Sequence, residues 1–302
     1  MNMNLPQLVE EFGSEDKCHD YLEELRWPNG VECPRCQSKK ISRIKARRQF
    51  DCDACRYQFS VRVGTLFHDS KLPLWKWFLA VYLMVESKKG ISANQLKRML
   101  GVSYKTAWYL AHRIRSAMEE EGELLRGIIE ADETWVGGES HKPGRTRKEA
   151  SRDRFDNKAL VLGAVARGGE VRLRLEKDGK RQTVHRFIAD HVADDANAIY
   201  TDSFRSYRGI ADADTRHEWV DHHAEEWVRG DVHTQTIESV WSLFKRSIIG
   251  SYHHMSVKHL PAYLDEMEWR YNNRDNKYLF RDTILKLVEG DTLPFKELVA
   301  SK

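Results

Sequence analysis

The stretch GIIEADETWVGG, residues 127–138, decides the fold: Ile128 and Ile129 open a strand that carries acids through its middle and runs into a glycine turn at Gly137-Gly138. Outward from it, ALVLGAVA (159–166) and VRLRL (171–175) bracket Arg167-Gly168-Gly169-Glu170, which signals a β-hairpin. Residues 183–192 read as a helix, AIYTD (198–202) as a short buried strand and HEWV (217–220) as another. Strand, hairpin, helix, strand, helix, strand is a mixed α/β layout around a central sheet. Residues 139–158 hold seven Lys/Arg and four Asp/Glu around Pro143-Gly144 and read as a polar loop. Two terminal helices, 258–272 and 280–289, are expected to cover the sheet.

Three acids stand out in this half. Asp132 and Asp202 each lie toward the C-terminal end of a strand, and Glu238 near the start of a helical run over 237–249. Along that run Ile237, Val240, Trp241, Phe244 and Ile248 form one apolar stripe, while Glu238, Ser242 and Lys245 share the other face. Glu238 therefore faces out of the core, and Lys245, two turns on, is placed to meet a phosphate beside a metal held by the glutamate. Any one of these acids alone is most simply solvated surface, and only the combination is informative. His217, His222, His223 and His233 have no standard zinc spacing and are read as sheet-edge or DNA-facing residues.

Toward the N-terminus, Cys33-Pro34-Arg35-Cys36 and Cys52-Asp53-Ala54-Cys55 form two C-x-x-C knuckles separated by 15 residues, with Cys18 apart. Such knuckles read either as disulfide or redox pairs or as one tetrahedral zinc site. An intracellular chain with a short basic hairpin between them favours zinc, and four thiolates leave no open position, so the role is structural. Between them Lys39, Lys40, Arg43, Lys45, Arg47 and Arg48 interleave with Ile41, Ile44 and Phe50, as in a ribbon showing basic side chains to solvent, with Arg47 and Arg48 as candidate DNA contacts.

Next, PLWKWFLAVYLM (73–84) reads as a core helix, with Trp75, Trp77, Trp108 and Trp241 on apolar helical positions. Ser92 with Gln95 opens a further helix as a capping box, Gly101-Val102-Ser103 makes a turn, and Ser103 caps another carrying Ala107, Leu110, Ala111 and Ile114. The pair reads as an ordinary αα-hairpin or as a helix-turn-helix presenting Tyr104, Lys105 and Thr106 to DNA. Charge favours the second reading: residues 88–115 hold seven Lys/Arg and no acid.

The whole chain has 302 residues, a net charge of +3 and a mean hydropathy of -0.64. Residues 30–66 carry nine Lys/Arg against three Asp/Glu, so these two basic segments leave a net −10 for the remainder. A basic front end on an acidic remainder suggests a polyanion partner. The apolar run Phe78 to Val85 is too short for a membrane span, and the acidic MNMNLPQLVEEF does not resemble a signal peptide, so the protein is expected to be intracellular. Composition shifts set domains at 1–68, 69–122 and 123–302.

With these motifs in place, the chain resembles the bacterial insertion-sequence DDE transposases of the ISXO-like group. The resemblance rests on the knuckles at Cys33 to Cys55, IEADETWVGG with Asp132, YTDSFRSY with Asp202, and HTQTIESVWSLFKRSIIGSYHH with Glu238 and Lys245. It implies a zinc ribbon, an all-α helix-turn-helix and an α/β RNase H-like catalytic domain, with Asp132, Asp202 and Glu238 as catalytic ligands of Mg²⁺ or Mn²⁺. It also implies end cleavage and strand transfer on terminal inverted repeats and target DNA, a homo-oligomer on DNA, and a cytoplasmic, nucleoid-associated location without a membrane. His253 and His254 are DNA contacts by the same resemblance. At Gln235 the group commonly has asparagine, and some members use an asparagine as third ligand. A zinc-ribbon regulator, a domesticated inactive transposase and a structure-selective nuclease are the alternatives.

Overall fold

The computed structural model describes residues 3–120, 122–137, 158–211, 215–253 and 255–300. Apart from Lys158, the loop read at 139–158 lies outside them, as do Gly138 and His254. The chain divides into two compact units, one of residues 1–119 with 275–302, the other of residues 120–274.

The first unit opens with α1 (Leu5–Phe12) and α2 (Glu15–Arg26). Asn4 and Gln7 cap α1 reciprocally, and Ser14 accepts from Lys17 N–H at the start of α2. A three-stranded antiparallel ribbon follows, β1 (Ile41–Ile44), β2 (Gln49–Cys52) and β3 (Gln58–Phe59), in that order. Helix α3 (Leu74–Glu86) buries Leu74, Trp77, Phe78, Val81 and Met84. Trp75, read as core, is instead 38% exposed, because it points away from the stripe that Trp77 and Phe78 define.

Helices α4 (Ala93–Leu100) and α5 (Tyr104–Ala117) form the helix-turn-helix. Ser92 and Ser103 cap them by accepting from Gln95 N–H and Thr106 N–H, and Gly101 at φ +62° takes the left-handed cap between them. The Gln95 side chain makes no return bond in this cap, so Ser92 forms half of the expected box.

The second unit holds a five-stranded sheet. Its strands are β4 (Ile128–Val136), β5 (Ala159–Ala166), β6 (Val171–Glu176), β7 (Ala198–Asp202) and β8 (Arg216–Val220), ordered β6-β5-β4-β7-β8. The β4/β5 and β5/β6 pairs are antiparallel, and β4/β7 and β7/β8 parallel, the mixed sheet of an RNase H-like domain. Helix α6 (Arg181–His191) covers one face, packing Val184, Phe187 and Ile188 on Ile129, Ala131 and Leu162. Helices α7 (Gln235–Ser247) and α8 (Leu260–Asn272) cover the other, with Ile237, Val240, Trp241, Phe244 and Leu264 on Val161, Val165 and Leu173. Burying such side chains at about 25 cal/mol per Å² dominates the stability of both layers.

The C-terminal boundary differs from the 123–302 domain expected from sequence: the sheet unit ends at Arg274. Helix α9 (Leu279–Glu289), expected on the sheet, packs in the first unit instead. There Phe280 meets Phe12 and Phe78 at ring-centroid distances of 5.7 and 5.9 Å, and Leu66 N–H donates to Leu287 O at 3.1 Å. An amphipathic helix fixes which of its faces is buried, not which layer buries it, and here Phe12 and Phe78 receive Phe280. The short α10 (Phe295–Val299) follows.

Candidate metal and DNA sites

Parallel pairing explains how two acids far apart in sequence meet. Ile128 pairs with Ala198 and Glu130 with Tyr200, an offset that, continued by two residues, sets Asp132, midway along β4 rather than toward its end, beside Asp202 at the end of β7. Strand alternation turns Ile129 and Ala131 toward α6, and Glu130 and Asp132 toward α7. The Trp241 indole donates to Asp132 Oδ2 at 2.9 Å, and Phe204 N–H donates to Asp202 Oδ1 at 2.9 Å. The Asp132 carboxylate is thereby oriented from α7 and that of Asp202 from the turn that follows its own strand.

Glu133 joins this pair, which the sequence reading did not foresee. One carboxylate oxygen from each of Asp132, Glu133 and Asp202 lies within 4.8 Å of the others. Consecutive strand residues point to opposite faces, so alternation alone would separate Glu133 from Asp132. β4 extends past its pairing with β7, so side chains from both faces reach the end of β7. The Glu133 Oε2 atom is buried without a hydrogen-bond partner, while the buried Tyr207 hydroxyl donates to the same carboxylate.

Electrostatics marks the cluster as strained when its carboxylates are ionised together. Burial and then the Asp202 charge push Asp132 up to about 7, against the lowering effect of the Glu133 N–H and the Trp241 indole. Burial, then Asp132 and Asp202, push Glu133 up to about 8. Hard oxygen donors that resist sharing one volume as anions suit a divalent cation such as Mg²⁺ or Mn²⁺.

Glu238 stands in the first turn of α7 and is half exposed. The Thr234 hydroxyl donates to its Oε1 at 3.0 Å, and His222 Nε2 lies 3.8 Å from that oxygen. Its charge acts on Asp132, but its carboxylate is outside the 4.8 Å group. Gln235, one turn earlier, and Lys245, two turns later, are exposed on α7. Among the described residues no histidine joins a metal-ligand group: His217 bonds Thr201 Oγ1, with burial drawing it down to about 4, whereas His233 lies 3.3 Å from Glu130.

The four knuckle cysteines do converge, their sulfurs all within 4.8 Å of one another. Cys33 and Cys55 Sγ are 3.7 Å apart and Cys36 and Cys52 Sγ 3.5 Å, close to the edges of a tetrahedron with Zn–S bonds of about 2.3 Å. The knuckles match each other: Gln37 N–H donates to Cys33 O and Arg56 N–H to Cys52 O, both at 2.8 Å, with Gln37 and Arg56 left-handed at φ 58° and 57°. Two non-glycine residues in that conformation are tolerated where the ligand set fixes the turn. Phe50, Phe59 and Trp27 pack beneath the cysteines.

Of the expected DNA contacts, Tyr104, Lys105 and Thr106 lie exposed at the start of α5. The Lys105 ammonium sits 4.4 Å from the centre of the Phe295 ring. Arg47 is exposed, and Arg48 is ion-paired with Asp16. Among the described residues no helix is long and apolar enough to cross a membrane.

Comparison with known proteins agrees with this organisation. Residues 124–272 match the ISXO2-like transposase domain and residues 13–58 the transposase zinc-ribbon domain. An uncharacterised protein in transposable element ISH50 of Halobacterium salinarum is 33% identical over 276 residues, covering 87% of this chain and 92% of the relative. A crystal structure of the Mos1 strand transfer complex aligns over 70% of this chain and 75% of its own at 13% identity, with a TM-score of 0.31, too distant to carry an argument. With the domain, the ribbon and a relative of nearly full length in agreement, the chain belongs to the ISXO2-like transposases that carry an N-terminal transposase zinc ribbon.

Proposed function

We propose that the chain binds the terminal inverted repeats of its element through the ribbon and the helix-turn-helix, and cuts and joins DNA at Asp132, Asp202 and Glu238. The juxtaposition of Asp132, midway along β4, with Asp202 at the end of the parallel β7 carries this reading, because it needs a cation to be stable as a pair of anions. Divalent cations held there would activate the attacking oxygen and neutralise charge on the leaving oxygen.

Two phosphoryl transfers follow from one site. In the first, a water oxygen bonds to phosphorus at the element end and the P–O3′ bond breaks, leaving a 3′-hydroxyl. In the second, that hydroxyl attacks a target phosphodiester, forming a new P–O bond and releasing the target's 3′ oxygen. The chain orients the acids through Trp241 and the Phe204 N–H, while the Lys245 ammonium on the exposed face of α7 holds a phosphate. Tyr104, Lys105, Thr106, Arg47 and Arg48 supply end recognition, a homo-oligomer pairs two ends, and the ribbon zinc is structural. The DNA and the reaction belong to the cytoplasm.

A second reading exchanges one ligand: Glu133 in place of Glu238. It is favoured by the Glu133 Oε2 atom, buried without a hydrogen-bond partner within reach of both aspartates. The test of the function itself is a duplex carrying the element's terminal repeat, incubated with Mg²⁺ or Mn²⁺. Wild-type chain should nick it at the repeat boundary and join the 3′ end to a second duplex, and Asp132→Ala or Asp202→Ala should do neither while binding the repeat. Full cleavage by either variant would overturn the proposal.

A further inference from the structure

Glu130 is a fully buried carboxylate on the same strand face as Asp132, two residues before it. Its Oε2 accepts from Thr236 N–H at 2.6 Å and Ile237 N–H at 3.1 Å, the first turn of α7. Its Oε1 accepts from the Thr236 hydroxyl at 2.9 Å and Arg167 Nε at 2.7 Å, with His233 Nδ1 3.3 Å away. Arg167 in turn donates to the carbonyls of Asp231 and His233 at 2.9 and 3.2 Å, on the segment entering the helix.

This arrangement replaces a cap the helix lacks. Thr234 occupies the N-cap position but gives α7 no side-chain cap, since its hydroxyl donates to Glu238. The orphan N–H groups of the first turn are met by a carboxylate from the sheet, where the helix dipole also favours negative charge. Four residues beyond Ile237, Trp241 bonds Asp132. Helix α7 is therefore pinned to β4 at two points, through residues 130 and 132 of one strand face, and Glu238 lies between the pins.

We propose that Glu130 is a positioning residue for the metal site, fixing the rotation and height of α7 and hence where Glu238 faces Asp132. This inference rests on the proposed site, in which Asp132 and Glu238 act together. A charge so completely enclosed is costly unless every lone pair is used, and these partners use them.

Mn²⁺ binding to the full chain, followed by the loss of the free-ion electron paramagnetic resonance signal, tests the idea beside thermal unfolding and repeat-DNA binding. Glu130→Gln should weaken Mn²⁺ affinity on the order of tenfold, the range in which residues behind metal ligands act, while DNA binding is unchanged. Glu268→Gln is the control, because Glu268 is also buried and accepts from Leu173 N–H and Arg174 but lies away from α7. It should lower the unfolding temperature and leave Mn²⁺ affinity alone. If Glu130→Gln does not fold, Thr236→Val removes one of the five contacts and should shift Mn²⁺ affinity the same way by less. Unchanged affinity in Glu130→Gln, or in Thr236→Val where that variant stands in, together with lost affinity in Asp132→Ala, overturns the positioning role and leaves the site. Unchanged affinity in Asp132→Ala overturns the site itself.

Discussion

Trp241 donates its indole N–H to Asp132 from the helix above the strand, and Gly163, the cross-strand partner of Asp132, makes room for the ring. A Cβ at residue 163 would lie 2.6 Å from two atoms of the Trp241 six-membered ring and 3.1 Å from Leu173. Gly163→Ala should therefore push the indole off Asp132 and cost about 1–3 kcal/mol as an overpacked core position. Urea unfolding measures the stability and near-ultraviolet circular dichroism the tryptophan. Unchanged values of both would show that the ring has slack the packing does not suggest.

The acid cluster makes stability depend on pH in a direction opposite to that of an ion-paired carboxylate. Asp132 and Glu133 have folded pKa values of about 7 and about 8, raised first by burial. A carboxyl raised in the folded state stabilises fully below its unfolded pKa, and that contribution is lost as pH rises through the folded value. Metal-free chain should thus lose stability between about pH 4 and pH 8 through this site. Mg²⁺ or Mn²⁺ should restore it at pH 8, and Asp132→Asn should flatten the profile. Thermal melts at pH 6 and pH 8 with and without the ion decide it, an equal ion effect at both pH values being the contrary result.

Zinc in the ribbon should be separable from chemistry. The matched knuckles hold four sulfurs at tetrahedral spacing, and such a site can contribute on the order of 10 kcal/mol of folding free energy. Cys36→Ser should lose the ion, unfold the ribbon and weaken DNA binding, while the sheet unit keeps its Mn²⁺ affinity. Metal analysis of the purified chain gives one zinc per chain if the reading holds, and none if it does not.

These sites were unequally legible in the sequence. The knuckles could be read because both ligand pairs are local, with the spacing itself containing the geometry. Asp202 was legible because it ends an apolar strand, and Asp132 because it interrupts one; the expectation that Asp132 also lies toward a strand end gives way to a position midway along β4. Glu133 was hidden by the alternation rule, which holds within a paired sheet and loses its force where β4 outruns β7. Glu130 was hidden differently: nothing in IEAD shows that a helix more than a hundred residues later lacks its own cap. Helix α9 was legible as a terminal helix but not its layer, since Phe280 has the same pattern whichever aromatic cluster receives it.

Lys105 provides a test of recognition apart from catalysis. Lys105→Ala should weaken binding to repeat DNA and reduce the salt slope by about one counterion, as for one lost phosphate contact. Losing its cation–π contact with Phe295 should cost the fold no more than about 1 kcal/mol at this exposed position. Affinity measured across a salt series reports the first effect and urea unfolding the second. An unchanged slope would remove the start of α5 from the DNA interface.

The identity of the third ligand is open to a direct comparison of Glu133→Ala, Glu238→Ala and Gln235→Ala. Glu238 is half exposed on the helix pinned by Trp241 and acts on Asp132 through its charge, and the proposed site predicts that its loss abolishes cleavage and strand transfer. Glu133→Ala removes a carboxylate that burial and the two aspartates push up to about 8, so the metal-free variant should be the more stable at pH 8. If Glu238 is the ligand, Glu133→Ala should retain measurable strand transfer on pre-cut ends and Gln235→Ala should be milder still. Should Glu133→Ala lose both steps while Glu238→Ala cuts normally, the ligand comes from β4 and α7 serves only to hold Trp241 over Asp132. Loss in Gln235→Ala with normal cutting by Glu238→Ala would move the ligand one helical turn toward the start of α7.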